Sequence, residues 1–385
     1  MNLIGRIFLL AAALCSITAA KASPAVPAGG SSPCTIDASD TRITYVGRTR
    51  TDGGRVSFDW TGTFIKVRFE GNMLSFKVSD TKKNYFNVWI DSPMGSRPDK
   101  VLTVCGTDTT ITIISREDLA ARFSKDRKAL KRPHQVILQK RTEGEQGLTT
   151  ISGFISDGSF LQADPRSTRL IEYIGDSYTC GYGTEASATE RFTPETENQN
   201  LTYACEAARF FGAEQIVVAH SGMGIARNYN GNVAGYYMPE RYLQVFDMDR
   251  ESRWDFSVRP DITVIYLGAN DFSTGMQPTR SRFVKEYARL LSEIKEHYGE
   301  DYPVLCIAPK HDPLTGEFIR EAVESCGYGN VHFMALPPSI HDNLGDMGAD
   351  SHPNYSGHKK IASAVIPCIS TIMGWEMEDL RNQAN

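Results

Sequence analysis

The sequence predicts a chain in two structural parts, an all-β sandwich followed by an α/β domain with a parallel sheet. Three observations carry this. Over residues 42–160, short runs of β-branched and aromatic residues are separated by Gly, Asp and Asn, the pattern of a many-stranded β fold. After "QADPRSTR", residues 162–169, the rhythm changes to buried-strand runs alternating with helical spacing. Such alternation makes the strands parallel and puts helices over both faces of their sheet. The third observation is length. A chain of 385 residues exceeds what one core usually fills.

The elements follow in order. "MNLIGRIFLLAAALCSITAAKA", residues 1–22, has a basic start, a short apolar stretch and a small-x-small end at Ala20-Lys21-Ala22. That is the form of a signal peptide, too short for a membrane span, and it predicts a secreted or periplasmic protein. Cys15 raises lipoprotein anchoring, but Leu14 is bulkier than such processing accepts. "SPAVPAGGSSP", residues 23–33, reads as a flexible leader. Residues 34–163 form the expected sandwich, with strands in "ITYVGRT", "RVSFDW", "FIKVRFEG", "MLSFKVSD", "YFNVWID" and "HQVILQKRT". One helix is expected in "SREDLAARFSKD", where Ser115 is the N-cap and acids occupy the first turn.

Residues 164–385 form the expected α/β domain. "LIEYIG", "AEQIVVAH", "DITVIYLGAND", "PVLCIAP" and "VHFMAL" read as buried strands. Between them lie helical segments, and a last helix is expected over 355–373. "LTYACEAARFFG" ends on Gly212, the residue type that closes helices. No internal repeat or heptad pattern is present.

Composition narrows the function. Hydrophobic residues are 41%, charged residues 23% and the net charge is -5, as in a soluble globular protein without a nucleic-acid partner. Seven cysteines follow the signal segment: Cys34, Cys105, Cys180, Cys205, Cys306, Cys326 and Cys368. Export permits disulfides, and the odd number leaves at least one thiol unpaired within the chain. No CxxC pair is present, which argues against a structural zinc site.

In such sheets, sites form beyond the carboxyl ends of strands. Four places qualify: Gly175-Asp176-Ser177, "HSGMGIARN" at 220–228, Gly268-Ala269-Asn270-Asp271, and "GADSHPN" at 348–354. Their chemistry is complementary. A serine hydroxyl needs a base before it attacks, and His352 is a candidate. The oxyanion that follows needs fixed donors, which the Ser177 N–H, a Gly222 N–H and the Asn270 amide could supply. A glycine lets backbone approach substrate closely. Taken alone, Ser177 is more often a helix cap and Asn270 a turn residue.

These four blocks, in this order over about 210 residues, resemble the SGNH (GDSL) hydrolases. The finer text of "IEYIGDSYTCGYG", "TPETENQNLTYACEAAR", "GMGIARNYNG" and "HPNYSGHKKIA" is similar to carbohydrate esterase family 2, acetylesterases of plant polysaccharides. The resemblance implies a flavodoxin-like SGNH-hydrolase domain behind a jelly-roll sandwich. It implies Ser177 as nucleophile, His352 as base, and Ser177, Gly222 and Asn270 as the oxyanion hole, with Gly224 the other reading of the glycine. No cofactor and no metal is expected, and the partner is an acetylated polysaccharide or oligosaccharide. Other acyl esters (aryl, lipid or peptidoglycan O-acetyl), or sugar binding at a decayed site, are the alternatives.

Two departures stand out. General SGNH enzymes carry an Asp three residues before the histidine, where this chain has Ala349. Asp350 is the possible orienter, since on an extended stretch an i−2 side chain shares a face with His352; a backbone carbonyl is the alternative. Family 2 often has an aromatic just before the histidine, where this chain has Ser351. Tyr178, Tyr182, Tyr229, Tyr236 and Tyr237 could replace it at the sugar. Elsewhere the plainer readings hold. His220 and His358 are structural, Trp60, Tyr85, Phe86 and Trp89 are core, and the acid- and histidine-rich stretch 341–352 is a solvated loop rather than a metal site. The basic run "KDRKALKRPHQVILQKR", 125–141, is a solvated face, with contact to an acidic polysaccharide as the alternative.

Overall fold

A computed structural model describes residues 33–95, 97–231, 236–310 and 313–377. The expected signal peptide, and all of the leader but Pro33, lie outside the described residues.

The first part is all-β with one short helix. Its strands are β1 (Cys34–Asp37), β2 (Thr44–Val46), β3 (Arg50–Asp52), β4 (Arg55–Phe58), β5 (Phe64–Phe69), β6 (Leu74–Ile90), β7 (Lys100–Ile114), β8 (His134–Lys140), β9 (Thr149–Ser156) and β10 (Phe160–Leu161). All pair antiparallel. The sequence splits β6 into two strands at a polar stretch; the structure joins them. Register shifts around Asp80 bend β6, so its first half pairs with β9 and its second half with β8. Asn84 and Thr149 donate to the Asp80 carboxylate, which satisfies the polar groups at the bend. The one helix, α1 (Arg116–Arg122), starts at Ser115 with a capping box, as its sequence predicts. Trp60, Tyr85, Phe86 and Trp89 are buried.

The second part is α/β. Its strands are β11 (Leu170–Gly175), β12 (Glu214–Ala219), β13 (Ile262–Tyr266), β14 (Val304–Ala308) and β15 (Val331–Ala335), all parallel, in the order β12-β11-β13-β14-β15. This is the flavodoxin-like order. The chain leaves β11 toward one side and returns to its other side at β13, which opens a crevice beyond their carboxyl ends. The helices are α2 (Ser177–Cys180), α3 (Tyr203–Phe210), α4 (Met238–Arg241), α5 (Arg280–Tyr298), α6 (Pro313–Ser325) and α7 (Tyr355–Met373). On one face Tyr203, Ala204 and Ala207 of α3 and Ile361, Val365 and Ile369 of α7 share a core with Ile171 and Tyr173. On the other face α5 and α6 bury Phe283, Tyr287, Leu290, Ile294 and Ile319 against Ile265 and Val304.

The two parts share this second core, because Val46, Trp60 and Phe64 of the sandwich belong to it. Arg48 also crosses over and pairs with Glu172 of β11 at 3.2 Å, both fully buried. Among the described residues no helix is long and apolar enough to cross a membrane. Among the described residues all seven cysteines are free thiols.

Candidate active site

Ser177 stands where β11 ends. Gly175 makes the turn possible, since a Cβ there would lie 2.0 Å from Thr179 Oγ1. Asp176 caps the short helix α2 by accepting the Tyr178 N–H at 3.1 Å. Burial pushes the Asp176 carboxyl up to about 7. Ser177 is the first residue of α2, so its own N–H has no partner within the helix. Gly181, at φ +85, ends the turn in the left-handed region.

His352 comes from the loop before α7. Its Nε2 lies 2.8 Å from Ser177 Oγ, and its Nδ1 lies 3.1 Å from the backbone carbonyl oxygen of Asp350. A carbonyl only accepts, so Nδ1 carries the proton and Nε2 presents its lone pair to the serine hydroxyl. Of the two alternatives for the orienter, the backbone carbonyl and not the Asp350 side chain faces Nδ1. Residue 350 is not extended but left-handed, at φ 46 and ψ 42. Its carboxylate accepts instead from Arg191 at 2.8 Å, the Phe192 N–H at 3.1 Å and the Tyr182 hydroxyl at 3.3 Å. Ala349 is fully buried and its N–H donates to the Gly183 carbonyl at 3.2 Å.

Two further loops complete the group. Gly222 follows β12 at φ +79, and a Cβ there would meet only Tyr229 Cβ, at 3.6 Å, so its face is open. Gly224 is enclosed: its N–H donates to Asn228 Oδ1, and a Cβ would lie 2.0 Å from the Arg227 carbonyl oxygen. Gly222, and not Gly224, lines the same cleft as Ser177. Asn270 follows β13. Its amide donates to the Met223 carbonyl at 2.8 Å and to Asp176 Oδ2 at 3.1 Å. To reach an oxyanion it must share the donor aimed at Asp176. Burial raises the Asp176 carboxyl, which makes it a weaker competitor for that donor than an ordinary carboxylate.

The role of Asp271 is not visible in the sequence reading. Its buried carboxylate accepts the N–H groups of Ile225, Ala226 and Arg227 at 2.7–2.9 Å. Burial raises it to about 7 even so. Arg227 answers with its guanidinium, donating to the Asn270 and Asp271 carbonyls at 3.3 and 3.1 Å. The signal was present in "GAND", where the second acid follows the candidate donor directly, but nothing local says what it faces.

Ser177, Gly222, Asn270 and His352 line an open cleft of 690 Å³, whose walls include Thr189, Glu190, Arg191, Ser221, Asp350 and Ser351. Tyr182 and Tyr229 line it, while Tyr178, Tyr236 and Tyr237 do not. Tyr182 stacks on Phe192 at 3.9 Å and leans on the His352 ring at 4.3 Å. Tyr178 packs edge-on beneath His352. His220 is buried on Asp247 at 2.7 Å, and His358 is buried, with burial driving its imidazole down to about 3. The 341–352 stretch disperses its acids, with Asp346 on Lys360 and Asp342 on Lys310. In the basic run, Lys140 and Arg141 are buried rather than solvated: Lys140 donates to the Glu143 carbonyl and Arg141 to the Glu197 carbonyl. The Arg141 bond crosses to the α/β part, while the Lys140 bond stays within the sandwich.

Residues 45–165 match the family described as carbohydrate esterase 2 N-terminal, and residues 173–360 match the GDSL-like lipase/acylhydrolase family. A solved family two carbohydrate esterase from Clostridium thermocellum, in complex with cellohexaose, is 30% identical. It superposes with a TM-score of 0.77 over 87% of this chain and 100% of that one. The chain belongs to carbohydrate esterase family 2. The chain is also 31% identical to the cellulase/esterase CelE of Acetivibrio thermocellus over 326 residues. The match takes in 82% of this chain but only 38% of CelE. An acetylxylan esterase / glucomannan deacetylase of Cellvibrio japonicus is 25% identical over 356 residues, 90% of this chain and 93% of that one.

Proposed function

We propose that this chain is a secreted serine esterase that removes O-acetyl groups from plant cell-wall polysaccharide, of the acetyl xylan or mannan type. One observation carries it: Ser177 Oγ lies 2.8 Å from His352 Nε2 inside an open polar cleft. Ser177 attacks the acetyl carbonyl while His352 Nε2 takes its proton. The imidazolium then donates through Nδ1 to the Asp350 carbonyl, a dyad in which main chain replaces the usual acid. The Ser177 and Gly222 N–H groups and the Asn270 amide hold the oxyanion. Collapse passes the proton to the departing sugar oxygen. Water, deprotonated by the same histidine, releases acetate and restores Ser177. The scheme uses no cofactor and no metal.

An open cleft walled by Glu190, Arg191 and Asp350 suits a hydrophilic leaving group and a short acyl chain better than a lipid. The two domains are residues 34–163 and 164–385, in keeping with two sheets that share no strand. Residues 1–22 are the proposed export signal. The test is acetate release from acetylated xylan and mannan, with 4-nitrophenyl acetate and longer acyl esters as controls. Ser177→Ala and His352→Ala are each expected to lose at least about 10³-fold in kcat. A folded protein that releases acetate from none of these substrates would overturn the proposal.

A further inference from the structure

Glu143 belongs to the sandwich half, between β8 and β9, yet its carboxylate ends under the cleft. It is 1% exposed. Its Oε2 accepts the Ser221 N–H at 2.6 Å and the Cys180 thiol at 3.5 Å. These donors come from two different segments, the loop after β12 and the helix α2. Ser221 immediately precedes Gly222, and Cys180 closes the α2 turn that begins at Ser177. One oxygen therefore ties together the two backbone segments proposed to hold the oxyanion.

We propose that Glu143 is a positioning residue for the oxyanion hole, so that the β-sandwich supplies part of the catalytic geometry. The inference rests on the serine esterase reading of the site.

Glu143 is itself held rigidly. Its carbonyl accepts from the buried Lys140 ammonium at 3.0 Å, and its N–H donates to Glu197 Oε1 at 3.1 Å. The next residue, Gly144, packs so closely on Asp247 that a Cβ would lie 2.4 Å from its carboxylate. Asp247 in turn holds His220, the residue before Ser221, at 2.7 Å. The Gly222 loop is thus fixed at both ends. Glu143 takes Ser221 on one side, and Asp271 takes residues 225–227 on the other. Without an acceptor, the Ser221 peptide would turn to satisfy its donor, and the Gly222 N–H that follows would turn with it. An oxyanion donor displaced by a fraction of an ångström stabilises the transition state less while leaving substrate binding nearly unchanged.

The test compares full-length Glu143→Gln, which keeps an acceptor oxygen, with Glu143→Met, which keeps length and volume but offers none. With 4-nitrophenyl acetate, E143M is expected to lose at least about tenfold in kcat with KM within about threefold. E143Q is expected to recover most of that kcat. If E143M does not fold, Glu143→Asp, one methylene too short to reach Ser221, is expected to show the same kcat loss. The inference is overturned if E143M or E143D keeps the parent kcat, if E143Q and E143M lose equally, or if the loss falls on KM. Ser177→Ala runs beside them. If it is inactive while E143M is normal, the esterase site stands and the Glu143 role is gone; if it is active, the site itself is misread.

Discussion

Asp350 acts on His352 through its main chain. Its left-handed backbone turns the carbonyl toward Nδ1 and sends the carboxylate to the 191–192 segment. The Phe192 N–H does most to hold this carboxylate below the usual range, against the opposing effect of burial, and Arg191 adds to it. Asp350→Ala is therefore expected to lower kcat less than about tenfold, far less than removing a triad acid does. A loss of 10³-fold or more would show that the carboxylate serves the histidine after all. Tyr229 is the second residue of interest, because it is 54% exposed and lines the cleft while Ser351 stands where family 2 often has an aromatic. Tyr229→Ala is expected to raise KM several-fold on acetylated polysaccharide and to leave 4-nitrophenyl acetate unaffected, as a stacking platform for the sugar would. Equal effects on both substrates would remove that role.

At the level of elements, the strand-to-helix turn and the loop after β12 each depend on one residue. Gly175→Ala would place a Cβ 2.0 Å from Thr179 Oγ1 and force the turn that carries Ser177 open. Asp271 carries more. Asp271→Ala would leave three buried N–H groups without an acceptor, each costing about 1–3 kcal/mol. Urea unfolding is expected to show a loss of about 3 kcal/mol or more, and kcat is expected to fall with it because Arg227 and Asn270 lose their shared frame. A folded Asp271→Ala protein of parental stability would mean that water or another donor pattern satisfies the loop.

Across the whole molecule, the sandwich and the α/β part are held by buried polar contacts as well as a common core. Arg48 pairs with Glu172, donates to the Gln244 carbonyl at 2.8 Å and lies against the rings of Tyr242, Trp254 and Phe256. Removing it strands Glu172 in the interior, so Arg48→Ala is expected to destabilise by about 3–5 kcal/mol in chemical denaturation. A loss under 1 kcal/mol would show that water reaches Glu172. Glu172 has other donors, Thr263 and Tyr242, but neither carries charge.

The His220–Asp247 pair gives the interface a pH dependence. Burial alone would lower the His220 imidazole, but the charge and hydrogen bond of Asp247 outweigh it and raise it above 6.5. Burial likewise opposes Asp247, which His220 and Arg241 nevertheless hold below 3.8. A raised histidine stabilises fully below 6.5, and its contribution is lost as pH rises through its folded value. A depressed aspartate stabilises above 3.8, and its contribution is lost as pH falls through its folded value. The pair is therefore worth most between about pH 4 and 6.5. His220→Gln is expected to lower the thermal midpoint more at about pH 6 than at about pH 9. The same drop at both would rule out a charged pair.

Local chemistry is what the sequence by itself determined. The buried run that stops at Gly175, the Ser115 cap, the span of α7 and the text of each polar block all depend on residues within a few positions of one another. Such patterns act through backbone preference and periodicity, which a single stretch of chain carries. The polar stretch that reads as a break in β6 shows the limit, because a bend with partners across the sheet looks like a turn when those partners are far away. Tertiary structure alone decided that Lys140 and Arg141 are buried, that Asp350 offers its carbonyl, that Asp271 gathers three N–H groups and that Glu143 reaches Ser221, 78 residues along the chain. A hydrogen-bond acceptor looks the same in the sequence whether it faces water or a distant donor, and only folding brings the donor to it.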